Sequence, residues 1–272
     1  MELLIKAAVL GVVEGITEFL PISSTGHLII VNRFINFTGP FADMFDVVIQ
    51  LGAILSVLVY FRNRLYPFVA SKNIAEKHEI FGNWKKAVVG VLPALVIGAA
   101  FGSTVEAKLF NPVTVALALF VGGLLLMAAE RRRNVGTIQS VSDLGYRTAI
   151  AIGFIQCLAM VPGTSRAAAT IIGAMLLGAS RPVAVEFSFF LSIPTMVAAS
   201  GYSLLKHGAT LSGSEWLALA VGFAVSFVVA LGVIAFLMNY IRKHDFKVFA
   251  WYRIALALVI GLLLYSGVLS GV

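Results

Sequence analysis

Charged residues and cysteine are scarce in this sequence of 272 residues. Asp, Glu, Lys and Arg make up only 12% of the chain, whereas soluble domains carry about 25%. With 60% hydrophobic residues, a water-soluble chain could not bury its apolar surface. Cys157 is the only cysteine, so no intrachain disulfide can form and a thiolate metal site is not expected. These absences exclude a soluble globular protein and predict an integral membrane protein.

Features that would indicate other classes are also missing. The start has no basic n-region and no A-x-A-like site, so we expect no cleavable signal peptide. The net charge of +7 comes mainly from Lys and Arg in predicted loops, and no basic stripe alternates with aromatic residues. We therefore attribute the positive charge to membrane topology and expect no nucleic-acid partner.

Long apolar runs are present instead. A helix that spans the membrane needs about 20 apolar residues, and the stretches that qualify are 42–62, 85–105, 110–130, 183–205, 215–240 and 250–271. Residues 2–35 and 145–180 do not qualify, because a polar turn that contains a proline divides each of them. Irregular backbone at membrane depth is tolerated only where protein or a wet cavity satisfies it. The sequence predicts an all-α integral membrane protein with six transmembrane helices and two re-entrant helix pairs.

The two divided regions match each other. Pro21-Ile22-Ser23-Ser24 corresponds to Pro162-Gly163-Thr164-Ser165 at an offset of 141, and the later acids Asp46 and Glu186 correspond at an offset of 140. We predict a single membrane domain, residues 1–272, built from an inverted-topology repeat of residues 1–135 and 140–272. Such repeats bring broken helices together near the midplane, where the site is expected.

The basic residues divide unevenly between the predicted loops. The loops after the first, third and fifth spans are rich in Lys and Arg. The opposite side has Lys108 and Lys206, with Lys6 and Arg33 at the outer ends of the first re-entrant pair. By the positive-inside rule, the basic side is cytoplasmic. Both termini are then predicted to be extracytoplasmic, with the first re-entrant pair open outward and the second open inward.

The first divided region contains acids that membrane segments rarely carry. Glu14 and Glu18 lie four residues apart, so they share one face of a helix. Intramembrane acids usually face the bundle interior and serve a function, and an interfacial helix with both acids in water is the plainer alternative. Paired acids can bind a divalent cation, orient a histidine or act as a base, and the spacing does not choose between these roles.

The turn after Pro21 supplies hydroxyls and backbone N–H groups. Its polar and small residues are Ser23, Ser24, Thr25, Gly26 and His27. Helix capping would explain one of the hydroxyls, but a histidine three residues after a serine, beside two acids, has the parts of an activated nucleophile. The N–H groups at the start of the next helix also suit a phosphate.

The other polar turn is Pro162-Gly163-Thr164-Ser165-Arg166. Arginine at membrane depth is costly unless it is paired or faces an anion, and its planar fork suits phosphate. A structural Arg–Glu ion pair is the plainer alternative. Thr170 lies one turn later and can add a hydroxyl. The weaker candidates are Gln156, Asp46 and Glu186.

These groups are predicted to meet within the membrane. Such a site suits an anionic headgroup on an apolar tail, because phosphoryl chemistry needs positive charge around the oxygens and a positioned nucleophile. Lipid transport is the alternative, since inverted repeats and broken helices are also features of transporters.

Five segments carry a resemblance to a known family. They are GVVEGITEFLPISSTGH (11–27), VVIQLG (47–52), VGGLLL (121–126), PGTSR (162–166) and EFSF (186–189). The chain resembles the bacterial undecaprenyl-pyrophosphate phosphatase family, also called the bacitracin-resistance protein family. The first and fourth segments are similar to its glutamate-rich motif and its Pro-Gly-x-Ser-Arg motif.

The resemblance implies hydrolysis of the terminal phosphate of undecaprenyl diphosphate, which gives the carrier lipid undecaprenyl phosphate for peptidoglycan and other envelope polymers. It implies a bacterial inner-membrane protein with a site reached from the extracytoplasmic side. A divalent cation, Mg²⁺ or Ca²⁺, is expected at Glu14 and Glu18. Besides the polyprenyl lipid, the expected partners are membrane lipids and a second copy of the chain in a homodimer.

The resemblance also assigns roles to residues. Glu14, Glu18, Ser24, His27 and Arg166 are expected to be catalytic, with Ser24 or His27 attacking or assisting and Arg166 holding the pyrophosphate. The residues expected to contact the substrate are Ser23, Thr25, Gly26, Gly163, Thr164, Ser165 and Thr170.

One position departs from the family pattern. The second motif commonly continues Ser-Arg-Ser-Gly, whereas this chain has Ser165-Arg166-Ala167-Ala168. A role of the missing hydroxyl would fall to Ser165 or Thr170, and alanine in place of glycine stiffens the start of the helix.

The alternative function is a polyprenyl-phosphate transporter or flippase with the same fold.

Overall fold

The computed structural model describes residues 1–69, 71–131, 136–208 and 211–269. The helices in these ranges are α1 (Glu2–Thr17), α2 (Ser24–Ile35), α3 (Pro40–Tyr60), α4 (Arg62–Leu65), α5 (Ile74–Leu109), α6 (Pro112–Arg131), α7 (Tyr146–Gln156), α8 (Arg166–Leu176), α9 (Arg181–His207), α10 (Gly213–Tyr240) and α11 (Lys247–Tyr265), with a 3₁₀ helix at Cys157–Met160. The same ranges contain no strand and one isolated bridge, between Ile138 and Ala179. Residues 132–135, where the first repeat is predicted to end, lie outside the described residues.

Six of these helices are long and apolar enough to cross a membrane: α3, α5, α6, α9, α10 and α11. Each of them overlaps one of the six stretches predicted from hydropathy. The prediction of an all-α protein with six transmembrane helices is therefore confirmed.

The connection between the first two predicted spans, residues 63–84, is largely helical. The helices α4 and α5 occupy most of it, and α5 begins at Ile74 and has 36 residues. A reciprocal cap starts α5, because the Glu76 N–H donates to Asn73 Oδ1 at 2.9 Å and the Asn73 N–H donates to Glu76 Oε2 at 2.8 Å. Trp84 Nε1 then donates to the Leu65 carbonyl at 2.8 Å and fixes this polar part of the helix against α4.

The last predicted span, 250–271, is also displaced. The helix α11 ends at Tyr265, and its cap at Ser266 is followed by Gly267 with a φ of +79°, a conformation that glycine adopts without strain. Residues 270 and 271 lie outside the described residues.

Besides the one-turn helix α4, four helices in the described ranges are well short of the roughly 20 residues that a span requires. They are α1, α2, α7 and α8, with 16, 12, 11 and 11 residues. α1 contacts α2 and α7 contacts α8, so each pair encloses one polar turn. These are the two regions that the sequence analysis singled out.

Close backbone approaches hold the short helices in the bundle. α1 packs on α10, where a Cβ at Gly15 would lie 2.8 Å from the Ser226 carbonyl oxygen. α7 packs on α5 in the same manner, since a Cβ at Gly153 would lie 1.9 Å from the Gly90 carbonyl oxygen. Neither contact could form with a larger residue at the glycine.

Candidate functional site

The first polar turn, residues 18–23, follows α1 directly. Glu18 continues in helical geometry after Thr17, and its N–H donates to the Glu14 carbonyl at 2.9 Å. Glu14 and Glu18 therefore lie one turn apart on the same face, as predicted. Glu14 is fully buried and Glu18 is 6% exposed, so neither acid faces bulk water.

The end of this turn positions a serine against Glu18. Ser23 has a φ of +73° and caps α2, because its Oγ accepts the Gly26 N–H at 3.3 Å. Ser24 is consequently the first residue of α2. Its hydroxyl donates to Glu18 Oε2 at 2.8 Å, and the contact is buried.

The second polar turn, residues 161–165, has the same ending. Ser165 has a φ of +69° and caps α8 by accepting the Ala168 N–H at 3.2 Å. Gly163 has a φ of +91°, and a Cβ there would lie 2.5 Å from the Val115 carbonyl oxygen. Only glycine fits this approach to α6. Arg166 is the first residue of α8, which corresponds to the place of Ser24 in α2.

Arg166 connects the two turns. Its Nη2 donates to Glu18 Oε1 at 3.0 Å, and its Nη1 donates to the Ser188 carbonyl at 3.0 Å and to Ser188 Oγ at 3.3 Å. The Phe19 ring lies 5.9 Å from the guanidinium carbon. The side chain of Arg166 is 10% exposed and that of Glu18 is 6% exposed, so the ion pair is largely desolvated. Ser24, Glu18 and Arg166 thus form one hydrogen-bonded chain.

A cavity of about 260 Å³ lies at this chain. From the first turn and α2 it is lined by Glu18, Ser24 and Thr25. The lining residues from the second turn and α8 are Gly163, Ser165 and Arg166. Six of the predicted site residues are thereby brought to one space. The opposite wall includes Gln156 and Thr195, whose side chains are 3.3 Å apart (Nε2 to Oγ1).

The other predicted site residues lie behind the cavity wall. Ser23 and Gly26 bond each other, and the Thr164 carbonyl accepts a bond from α11. Thr170 is buried, and its Oγ1 donates to the Arg166 carbonyl at 2.9 Å and lies 2.6 Å from Ser188 Oγ. Thr170 therefore supports Arg166 through Ser188 and does not face the cavity.

His27 is also directed away from the cavity. Its Nδ1 lies 2.7 Å from the Ser23 carbonyl oxygen, which can only accept, so Nδ1 carries the proton. Its Nε2 then accepts from the Tyr252 hydroxyl at 2.7 Å, and the two rings stack at 5.6 Å. Both ring nitrogens are occupied, and neither contacts Ser24.

Glu14 provides the test of whether a cation fits. Both carboxylate oxygens are buried, and neither has a hydrogen-bond partner among the described residues. The charged groups that act on it are Glu18, Asp46 and Arg166, of which two are acids. A buried carboxylate without a donor requires a proton or a cation. Glu14, one turn from Glu18, therefore fits an oxygen ligand of a divalent ion.

Asp46 and Glu186 have polar partners of their own. Asp46 accepts from Asn32 Nδ2 at 2.7 Å, and Glu186 pairs with Arg64. Asp46 lines a second cavity of about 580 Å³ at the start of α3, and Glu186 lines cavities at the opposite end of that helix. Neither acid lines the cavity at Arg166.

Sequence reasoning missed Ser188, Tyr252 and Arg253. Ser188 lies two residues after Glu186 in the EFSF segment, so its position beside a singled-out acid was an available signal. Arg253 is the only charged residue after Lys247, and an isolated arginine in an apolar span is a recognised sign of function. Tyr252 has no comparable signal.

Fold and site together define a class: a multi-pass α-helical membrane protein with a buried Ser–Glu–Arg chain at a cavity between two polar turns. The sequence profile of the family described as "Bacitracin resistance protein BacA" matches residues 7–259. The chain belongs to this family.

Curated relatives cover nearly the whole chain. "Undecaprenyl-diphosphatase 1" of Clostridioides difficile is 51% identical over 257 residues, which are 94% of either chain. "Undecaprenyl-diphosphatase 2" of Rhodospirillum rubrum is 50% identical over 274 residues, covering 99% of this chain and 98% of its own. "Undecaprenyl-diphosphatase" of Enterococcus faecalis is 47% identical over 264 residues, covering 94% and 95%.

Proposed function

We propose that this protein is an undecaprenyl-diphosphate phosphatase. It hydrolyses the terminal phosphate of the membrane lipid and gives undecaprenyl phosphate, the carrier for peptidoglycan and other envelope polymers. The family and the names of relatives at about half identity support this activity. The observation that carries it is the Ser24–Glu18–Arg166 chain, in which a hydroxyl, a carboxylate and a guanidinium are in contact at the cavity.

The contact between Ser24 and Glu18 supports nucleophilic catalysis by the serine. Glu18 accepts the hydroxyl proton while Ser24 Oγ attacks the terminal phosphorus. The bond from that phosphorus to the bridging oxygen breaks, and undecaprenyl phosphate leaves with the bridging oxygen and the proton from Glu18. Water then attacks the phosphoserine, Glu18 passes the water proton to Ser24 Oγ, and inorganic phosphate is released.

Arg166 and the backbone of the turns supply the electrostatic part of the reaction. The guanidinium faces the cavity and would neutralise the oxygens of the transferring phosphoryl group. Its bonds to Ser188 leave it in place when the bond to Glu18 is exchanged for the substrate. His27 was expected to be catalytic, but its bonds to Ser23 and Tyr252 support a role in positioning the first turn instead.

We assign the divalent cation, Mg²⁺ or Ca²⁺, to Glu14 and Glu18. When bound, it would neutralise diphosphate oxygens. No group of three or more His, Cys, Asp or Glu side chains suited to a metal occurs in the described ranges, so two carboxylates would leave other ligand positions to water and substrate. The unpartnered Glu14 carboxylate supports this assignment.

The proposed architecture is an inverted repeat of residues 1–135 and 140–272 in a single domain, with two re-entrant helix pairs. The helix contacts support this architecture, because corresponding helices of the two halves have corresponding neighbours. α1 packs on α10 as α7 packs on α5, and α10 packs on α3 as α5 packs on α9. Ser23 and Ser165 further support it, since both cap a short helix with a positive φ.

We further propose the bacterial inner membrane as the location, with extracytoplasmic termini and a site open to that side. The cavity at Arg166 adjoins the 580 Å³ cavity at the start of α3, because Thr25 and Gln50 line both. A membrane-impermeant thiol reagent applied to intact cells tests the orientation. In a Cys157→Ala background, Thr38→Cys should react and Asn63→Cys should not. The homodimer stays a prediction.

Lipid transport is the second candidate. It is favoured by cavities at both ends of α3, one lined by Asp46 and the other by Glu186. Transport of labelled polyprenyl phosphate in vesicles by a Ser24→Ala variant that hydrolyses nothing would separate the two activities.

The decisive experiment measures phosphate release from undecaprenyl diphosphate by the purified protein, with Mg²⁺ or Ca²⁺ and with EDTA. We expect cation-dependent release that Arg166→Ala abolishes. Mass spectrometry of protein quenched during turnover should find phosphate on Ser24. No release by folded protein under any of these conditions would reject the proposed function.

A further inference from the structure

Arg253 on α11 is fully buried and pairs with no acid in the part of the chain that the structure describes. It is 0% exposed, and α11 around it is apolar. A buried charge is tolerated only when its donors are satisfied. The donors of Arg253 are satisfied by five backbone carbonyl oxygens.

Three of these carbonyls belong to the two polar turns. Nη1 of Arg253 donates to the Pro21 carbonyl of the first turn at 3.3 Å. Nη2 donates to the Gly163 and Thr164 carbonyls of the second turn at 3.1 and 3.0 Å. The remaining acceptors are the α6 carbonyls of Ala118 at 3.1 Å and Leu119 at 3.4 Å. One guanidinium thus bonds three separate parts of the backbone.

The opposing helix leaves room for this guanidinium. A Cβ at Gly122 of α6 would lie 2.1 Å from Arg253 Nη2 and 2.8 Å from its Cζ. Any residue larger than glycine would displace the group from its acceptors. Gly122 and Arg253 therefore act as a pair, which offers two independent ways to remove the same contacts.

We infer that Arg253 is a positioning residue that fixes the first turn relative to the second turn during the reaction. The inference rests on the proposed function for its catalytic consequence. The Glu18–Arg166 ion pair also joins the first turn to the start of α8, and it would open to admit a diphosphate. Arg253 lies behind the cavity, so its bonds persist when that pair is exchanged.

The geometry requires a guanidinium. Its planar fork presents five N–H donors in fixed directions, whereas an ammonium has three donors on a compact group. A lysine at 253 could satisfy one turn or the other. Without a donor, the turn carbonyls would be buried and unpaired, and each turn would relax separately.

The test combines kinetics with four variants and two controls. We expect Arg253→Met to lower kcat by about 100-fold, because displacement of a catalytic group by about 1 Å has that effect. Gly122→Ala should lower kcat by about tenfold or more, and Gly122→Ala with Arg253→Met should be no slower than Arg253→Met alone. Arg253→Lys should be intermediate. The matched controls Arg147→Met, at an exposed arginine, and Gly261→Ala, with nothing near its Cβ, should keep wild-type rates.

Hydrogen exchange supplies a readout independent of activity. Arg253→Met should raise exchange in residues 18–25 and 161–166 together by about tenfold or more, and leave the capped start of α10 unchanged. If this variant does not fold, Gly122→Ala decides by the same two measurements. A folded variant with kcat within about threefold of wild type, or with unchanged exchange in both turns, would overturn the inference. Absence of hydrolysis by the wild type would instead reject the proposed function. The hydrogen-exchange result would still test whether Arg253 holds the two turns.

Discussion

The two polar turns have one backbone design and opposite chemistry. Each ends in a serine with a positive φ that caps the following helix, Ser23 in one case and Ser165 in the other. The next residue is Ser24 after the first turn and Arg166 after the second. The difference shows that the backbone supplies the position, whereas the residue at that position decides whether a turn contributes a nucleophile or a cation.

The residues before the turns differ in the same way. The sequence alignment paired Ser24 with Ser165 at an offset of 141, whereas the caps Ser23 and Ser165 relate the two halves at an offset of 142. At 142, Glu14 corresponds to Gln156 and Glu18 corresponds to Met160. The second half therefore lacks both acids, although Gln156 and Met160 also line the cavity. A single asymmetric site results, in which the acids of one half face the arginine of the other.

The largest expected loss of activity is at the position directly after the cap, where the first turn has Ser24 and the second has Arg166. Ser24→Ala removes the proposed nucleophile while Ser23 still caps α2, so kcat should fall by about 1,000-fold or more. Phosphate release from undecaprenyl diphosphate measures it. Ser23→Ala is the matched control and should cost less than about tenfold; equal losses in the two variants would mean that the hydroxyl of Ser24 has no special part.

The next comparison is between Glu14 and Gln156. Glu14→Gln makes the two halves alike at this position, and we expect kcat to fall by about 100-fold because a cation ligand is lost. The same change removes an unpartnered buried carboxylate, so the melting temperature in detergent should rise. Gln156→Ala should change kcat by less than about fivefold. A Glu14→Gln variant with normal activity at limiting Mg²⁺ would contradict the assignment of the cation.

The caps should have equal and smaller effects. Ser23→Ala and Ser165→Ala each remove one cap, and each should lower the free energy of unfolding by about 1 kcal/mol. Thermal unfolding in detergent measures this. A loss confined to one of them would show that the two turns do not share the same capping energy.

The smallest effect is expected where this chain departs from the family pattern. Ala167 is 0% exposed, belongs to the main apolar cluster and does not line the cavity. Ala167→Ser should therefore change kcat by less than about threefold and should lower stability slightly, because it buries a hydroxyl. A large gain in kcat would instead assign a catalytic part to the family's second serine.

Hydropathy predicted the six spans, since an apolar run of sufficient length has few other structures in a membrane. It failed at the start of α5, because residues 74–84 are polar. There the Asn73 and Glu76 cap and the contact of Trp84 with Leu65 hold the helix. The four-residue spacing correctly predicted that Glu14 and Glu18 share one face of α1, because four residues make about one helical turn.

The contacts between distant segments could not be predicted in the same way. The Ser24–Glu18–Arg166 chain depends on how α2 and α8 are oriented, and only packing determines that. Ser and His three residues apart suggested a pair, yet His27 bonds Tyr252 on α11. Arg253 was missed because its partners are carbonyl groups, which every residue has and no sequence pattern identifies.

The burial of the Arg166–Glu18 pair has a consequence for how the protein responds to its surroundings. Dissolved ions largely screen the interaction between exposed charges that lie more than about 8 Å apart at physiological ionic strength, and they screen buried pairs much less. With side chains only 10% and 6% exposed, this pair keeps its attraction in dilute or saline medium. The orientation of Arg166 toward Glu18 is thus set by the protein itself and depends little on the monovalent salt concentration outside the bilayer.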